Sequence, residues 1–400
     1  MFESPFLIGF ALAYVFGLFA VAWLGDRMAW RRSGSGRPLI YALSISVYCT
    51  SWTFFGSVGL ATTTGYDFLP VYLGPILLFV FGAPLINRII DLSKRQNLTS
   101  AADFMAARYG KSQAVAATVT IVMVIGTLPY IALQLKAIAV AVATLLGEHA
   151  LLPKDLPLRG VDEAIVITLI LAAFAILFGT RHADATEHQD GLMLAIAVEG
   201  LVKLAAFLAV GAFVVWWMYS GPAQFWELAA NDPRVQAVFQ TTPSGGKWLT
   251  VTFLSLVCVL LLPRQFHVTV VENNSPAEVR RARWLFPLYL VLINLFVLPI
   301  AIAGLMLPPG VASDPDFYVL ALPLSAEAAT ISMIAFIGGL SAATAMVIVE
   351  AVALSIMVSN GLVLPLLLRR EIDSGEGSSG DLTGLVLAVR RGAILVILLL

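Results

Sequence analysis

The chain has 400 residues, 59% of them hydrophobic and 12% charged, with a net charge of -1. A soluble domain carries about 25% charged residues, so this is the composition of an all-α polytopic membrane protein, and its near-neutral charge offers nothing to nucleic acid. The two cysteines, Cys49 and Cys258, lie inside apolar stretches, which excludes a disulfide framework and a zinc site. The four histidines, His149, His182, His188 and His267, have no metal-ligand spacing.

The first predicted span, 5–25, has an acidic start and is followed by Arg27, Arg31 and Arg32 with no small-residue cleavage site. It reads as an uncleaved anchor with its N-terminus outside. Span 2, 38–61, is long enough to cross a bilayer, yet Ser44, Ser46, Tyr48, Thr50, Ser51, Trp52 and Thr53 crowd its middle, with Gly56 and Gly59 after them. Such residues occur at membrane depth where they face other helices or a wet cavity. Of the 8 tryptophans, Trp52 alone falls in mid-span; the others sit at or beyond span ends, where the interface favours them.

Span 3 covers 68–90, and Ser100 with Asp103 makes a capping box for a short interfacial helix over 101–109, stopped by Gly110. Span 4, 114–146, is longer than a ~30 Å core needs at ~1.5 Å per residue. It must tilt, protrude or break, and Gly126 and Pro129 offer a break point. Spans 5 (162–179) and 6 (190–217) precede an outside loop, 220–247, with a short amphipathic helix near 225–230. Span 7 is 248–271; Ser275, Pro276 and Glu278 form a second capping box ahead of span 8, 284–307. Span 9, 328–368, is again too long for one straight crossing, and a tenth begins near Gly392 after a loop marked by Arg369, Arg370, Arg390 and Arg391. With the N-terminus outside, nearly every Lys/Arg cluster falls on the cytoplasmic side, the exceptions being Lys154, Arg159, Arg234 and Lys247. The last apolar run is still in progress at Leu400, which reads as a fragment of a longer protein.

Three places carry chemistry. Pro263 interrupts span 7 and is followed by Arg264, Gln265 and His267. Spans 2 and 7, five apart, are thus both interrupted, the pattern that points to the binding site of an inverted-repeat transporter. The plainer reading is a kinked helix whose Arg264 snorkels to the interface. In span 9, 338–344 is dense in small residues, and Ser341 and Thr344 serve either a packing seam or a hard cation. The intramembrane charges are Lys136, Glu199, Lys203 and Glu350. Glu199 and Lys203, spaced i,i+4, can neutralise each other or form a proton relay. Lys136 pairs with Glu350 or faces a cavity. No nucleophile–base pair or phosphate-cradling loop appears, so no catalytic residue is expected in 1–400.

The runs YCTSWTFFGS (48–57), DFMAARYGK (103–111), LPYIALQLK (128–136), GTRH (179–182) with ATEH (185–188), LPRQFHVTVVEN (262–273) and GGLSAAT (338–344) resemble the solute:sodium symporter family, specifically its branch fused to sensor histidine kinases. The resemblance implies a LeuT-type five-plus-five inverted repeat preceded by an extra helix. The extra helix and its basic loop would be 1–37, the first repeat 38–218, an extracytoplasmic loop 219–247, and an incomplete second repeat 248–400. A small solute would bind between spans 2, 4, 7 and 9, with Tyr48, Thr50, Ser51, Trp52, Tyr130, Gln134, Gln265 and His267 as candidate binding residues. A sodium ion would take the carbonyls of Ser46 and Cys49 and hydroxyls near Ser341 and Ala342. Two departures stand out: the aspartate of many symporters falls on Tyr48, and the second hydroxyl position is Ala342, with Thr344 the nearest substitute. The expected function is therefore the membrane input domain of a two-component sensor kinase in the bacterial inner membrane. Beyond Leu400 would follow an ATP-dependent, dimeric kinase module that addresses a response regulator. The alternative is a stand-alone sodium- or proton-coupled transporter of small organic solutes; a third reading is a bare membrane anchor.

Overall fold

The computed structural model describes residues 4–27, 37–146, 163–179, 189–240, 244–308, 314–367 and 382–400. His149, His182, His188 and the loop charges Arg369 and Arg370 lie outside the described residues. Within them all regular structure is helical. Among the described residues, five helical runs and three sharply bent helix pairs are long and apolar enough to cross a membrane.

The first crossing is α1 (Ser4–Arg27), ended by Arg27, whose guanidinium lies over the Trp23 ring at 3.8 Å. Span 2 is divided into α2 (Arg37–Ser44) and α3 (Ser57–Thr64), bent by 68° across a tight turn at Ile45–Tyr48 and a wide π-turn at Trp52–Gly56. Span 3 is not one helix. It breaks at Gly82 into α4 (Pro70–Phe81) and α5 (Ala83–Arg95), which meet at 77°. Pro84 in the first turn of α5 cannot donate to the preceding turn, and α5 carries Arg88, Asp91, Lys94 and Arg95, the pattern of a helix lying along a surface. The connector helix α6 (Ala101–Arg108) is capped as its sequence predicts, the Asp103 amide donating to Ser100 Oγ at 3.1 Å.

Span 4 is one helix, α7 (Gln113–Leu146), with Pro129 inside it. The proposed break there does not occur; the excess length is taken up by an unbroken 34-residue rod. Next come α8 (Glu163–Gly179) and α9 (Asp190–Ala212), the latter ending in a π-turn at Phe213–Met218. The amphipathic helix expected near 225–230 is α10 (Pro222–Asn231), and a second short helix, α11 (Pro233–Phe239), follows it. Asp232 caps α11, accepting from the Arg234 and Val235 amides, and its hydrogen bonds from the Arg234 side chain hold its carboxyl below the usual carboxylate range.

Span 7 is α12 (Gly245–Leu261) and α13 (Pro263–Phe266) with a π-turn at His267–Val271, bent by 58°. The capping box of Ser275 and Glu278 starts α14 (Pro276–Asn294), which continues in the same crossing as α15 (Val297–Met306). The short α16 (Tyr318–Ser325) precedes α17 (Ala329–Val358), extended by a π-turn at Ser359–Val363, and α18 (Leu382–Leu399) follows. Arg390 and Arg391 do not mark a loop: both lie within α18, and Arg390 is buried.

Burial separates the centre from the periphery. In the most apolar window of the α17 crossing 72% of residues are inside the protein, against 17% for α1. α17 is the central post, touching α7, α8, α9 and α18, while the outward faces of α1 and α7 present Phe16, Ile121, Val122 and Ile125 as a lipid-facing surface does. At one end of the bundle Arg37 joins the starts of three crossings. It meets Asp190 at 3.4 Å, Glu278 at 3.6 Å and the Glu272 carbonyl at 3.2 Å. At the other end Lys247 and Trp248 Nε1 both reach Asp67, at 2.6 and 2.7 Å.

Candidate functional site between two broken crossings

The first broken crossing has no proline at its opening. α2 ends at Ser44, the chain tightens for one turn, and Cys49 is extended with φ -80° and ψ 101° before the helix restarts. Opening a helix strands carbonyls on one side and amides on the other, and both sets find partners on other helices. Lys203 Nζ of α9 donates to Ser46 O at 2.9 Å and to Cys49 O at 2.6 Å. On the amide side, Ser51 N and Ser51 Oγ both donate to Gln134 Oε1 of α7, at 2.9 and 2.6 Å. Thr50 Oγ1 is within 2.7 Å of Tyr130 OH on the same helix.

Close backbone approach holds these donors in place. A Cβ on Gly200 would lie 2.3 Å from Ser46 Oγ and 3.2 Å from Leu43 O, so the glycine lets α9 press against the break without displacing the Ser46 side chain. The Gly339 position of α17 would put a Cβ 2.2 Å from the Phe55 ring. The small residues of 338–344 therefore make a packing seam. Within it, Ser341 Oγ donates to Glu199 O at 2.8 Å, and Thr344 Oγ1 donates to Glu199 Oε1.

The second broken crossing opens at Leu262, whose φ of -59° and ψ of 131° are those expected before proline. Arg264, in the first turn after Pro263, turns inward. It is 2% exposed and donates from Nη1 to Glu350 Oε2 of α17 at 2.7 Å, with its guanidinium 5.1 Å from the centre of the Tyr130 ring. This corrects the snorkelling alternative.

The two breaks face a common cavity of about 270 Å³. Its wall includes Tyr48, Trp52 and Thr53 from the first break, Leu262 and Arg264 from the second, and Tyr130 from α7. Of the eight candidate binding residues, Tyr48, Trp52 and Tyr130 line this cavity. Thr50, Ser51 and Gln134 stand behind the wall and fix its geometry through the bonds above. Gln265 and His267 are off it: Gln265 Nε2 reaches back to Ile45 O at 3.4 Å, and His267 Nε2 is 3.5 Å from Glu272 toward the Arg37 end. Arg264, singled out in the sequence by its place directly after the helix-breaking proline but not among the eight, also lines the cavity.

The intramembrane charges are arranged differently from their sequence spacing. Glu199 and Lys203 do not pair with each other; each is drawn to a different neighbour. Glu350 pairs with Arg264, and Lys136 is exposed on α7. The expected sodium ligands fare poorly. The Ser46 and Cys49 carbonyls are taken by an ammonium, Ala342 is fully buried and has no side-chain oxygen, and Ser341 and Thr344 both donate to Glu199. The residues present do not fit a sodium ion. Among the described residues no group of three His, Cys, Asp or Glu forms a metal site.

The architecture matches that of a solved symporter described as the substrate-bound outward-open state of a Na+-coupled sialic acid symporter. The TM-score is 0.64 at 16% identity, over 98% of this chain and 79% of that one. The chain has a LeuT-type transporter fold. A manganese transporter of Eremococcus coleocola is also similar, with a TM-score of 0.50 at 14% identity over 92% of this chain and 78% of that one. In sequence, the chain is 24% identical over 299 residues to an uncharacterized symporter, YhjB, of Bacillus subtilis (strain 168). The match takes in 73% of this chain, which spans 56% of the length of that relative. No protein-family model matches. The apolar crossings and this fold together identify a multi-pass membrane protein.

Proposed function

We propose that the chain is the solute-binding core of a secondary transporter, taking a small organic solute into the cavity between the two broken crossings. The observation that carries this is the convergence of both breaks on one cavity, with Tyr48 and Trp52 on one side and Leu262 and Arg264 on the other. Discontinuous helices meeting near the membrane midplane are how inverted-repeat transporters build a substrate site. The transport descriptions of the similar proteins support the same reading.

The wall suggests the class of solute. At about 270 Å³ the cavity lies just under the ~300–1,000 Å³ of drug-sized pockets, so it suits a small metabolite. Arg264 and Glu350 neutralise each other, which favours a solute with no net charge. On the wall itself, Arg264 Nε is buried with no hydrogen-bond partner, leaving one donor to satisfy. Tyr48, Trp52 and Tyr130 offer aromatic faces. A zwitterionic amino acid with an apolar or flat side chain meets all of these conditions. In this proposal the Arg37 end is cytoplasmic and the N-terminus extracytoplasmic, in the bacterial inner membrane, as the arginine and lysine distribution favours. The similar proteins are described as symporters or transporters, which favours this reading over a sensor kinase with its ATP, response regulator and kinase dimer.

The test is uptake by proteoliposomes containing the purified full-length protein, screened with radiolabelled amino acids and small organic acids. We expect uptake of at least one zwitterionic solute, and a half-saturation concentration at least ~10-fold higher in Trp52→Ala, equivalent to about 1.4 kcal/mol. Uptake unchanged in both Trp52→Ala and Tyr130→Ala would remove this cavity as the solute site.

A further inference from the structure

The place where the sequence resemblance puts a coupling sodium ion is the place where the structure puts Lys203. Its Nζ, on a side chain 1% exposed, lies 2.9 Å from Ser46 O and 2.6 Å from Cys49 O. Those carbonyls belong to the turn that opens the first broken crossing, so they are the oxygens a cation would be drawn to. The rest of the pocket is consistent with a cation carried by the chain itself. One turn earlier on α9, the Glu199 carboxyl is engaged by Thr344 and is not offered to a bound ion. Ser341 Oγ spends its proton on Glu199 O, and the adjacent position is Ala342, which contributes no oxygen. A second unit charge brought to the same two carbonyls would meet the Lys203 ammonium at contact distance in a medium of low dielectric, where repulsion is strong.

We infer that Lys203 is a tethered substitute for the coupling ion. Its ammonium closes the break in the first crossing permanently, so that the solute site is formed without sodium and solute affinity is independent of sodium. The solute half of this statement rests on the transporter reading above; the cation half does not. A mobile sodium ion assembles such a site only when bound, and can leave it. A lysine side chain cannot leave, so the carbonyls of Ser46 and Cys49 are held in position whatever the salt outside.

The experiment uses the purified full-length protein in detergent, melted in sodium chloride and in choline chloride at equal ionic strength, with binding of radioactive sodium measured alongside. For the wild type we expect the same Tm in both salts and no sodium binding that Ser341→Ala alters. Lys203→Ala should melt at least ~5 °C lower, and sodium or ethylammonium chloride, but not choline chloride, should recover at least half of that loss by supplying a small cation to the vacated carbonyls. The inference is overturned if sodium raises the wild-type Tm and Ser341→Ala abolishes that rise. It is equally overturned if folded Lys203→Ala melts with the wild type, or recovers no better in small cations than in choline. Should Lys203→Ala not fold, the wild type and Ser341→Ala decide the matter alone. Failure of every solute to be taken up would count against the transporter reading and leave these cation results standing. Sodium-dependent uptake that Ser341→Ala abolishes would keep the transporter and sink the tethered ion.

Discussion

In the first broken crossing the helix opens after Tyr48 without a proline, and its stranded groups are completed from elsewhere, by Lys203 on α9 and Gln134 on α7. In the second, Pro263 opens the helix by covalent constraint, and the backbone on either side closes on itself: the Leu262 amide donates to Cys258 O and the Phe266 amide to Leu262 O, both at 2.9 Å. What the second break borrows from another helix is a charge partner, Glu350, for Arg264. One opening is thus a tertiary agreement and the other a local property of the chain. A break of the first kind fails when a distant residue changes. A break of the second kind needs no distant donor or acceptor for its backbone, because the hydrogen bonds on either side of Pro263 are local, but the buried charge it carries must stay compensated.

Three substitutions test that contrast. The largest effect should come from Glu350→Ala, which leaves the Arg264 guanidinium buried and uncompensated. Removing one partner of a buried ion pair costs about 3–5 kcal/mol, read as loss of folded yield and a lowered Tm, with partial rescue by the double variant Arg264→Met, Glu350→Ala. Gln134→Leu should come next. It strips the Ser51 amide and hydroxyl of their acceptor inside the protein, at about 1–3 kcal/mol in thermal unfolding. Pro263→Ala should be smallest, within about 1 kcal/mol, since alanine adopts the same backbone angles and the flanking hydrogen bonds remain. If Pro263→Ala proved costlier than Gln134→Leu, the distinction between the two openings would be lost.

What could be read from the sequence follows the same division. Features set by neighbouring residues were legible: the caps at Ser100 and Ser275, the break at Pro263, and the polar middle of the first broken crossing with Trp52 at its cavity. Features set by distant residues were not. Glu199 and Lys203 have ideal spacing for a pair on one helix face, but the Lys203 ammonium goes to the opened carbonyls of Ser46 and Cys49, which belong to a crossing more than 150 residues away and leave no mark in the local sequence. Pro129 looked like a breaker, yet α7 runs through it, because tertiary packing outweighs one missing hydrogen bond. The bend at Gly82 had a local signal, glycine followed two residues later by proline, hidden in a run that hydropathy alone reads as continuous. Arg390 was read as a loop residue on charge alone, and it lies in mid-helix with its side chain packed inside.

Arg37 gives the end of the molecule it occupies a particular mechanical character. Its one guanidinium is shared among the first turn of α2, the first turns of α9 and α14, and the carbonyl that closes the second broken crossing. Nη1 faces Glu278 while Nη2 serves both Asp190 and the Glu272 carbonyl, so an outward swing of any one segment gives up part of this shared charge. Opening the bundle at that face therefore means separating one largely buried positive charge from acceptors on three other segments, a cost that the opposite end, with its Asp67 contacts to Lys247 and Trp248, does not carry in the same form.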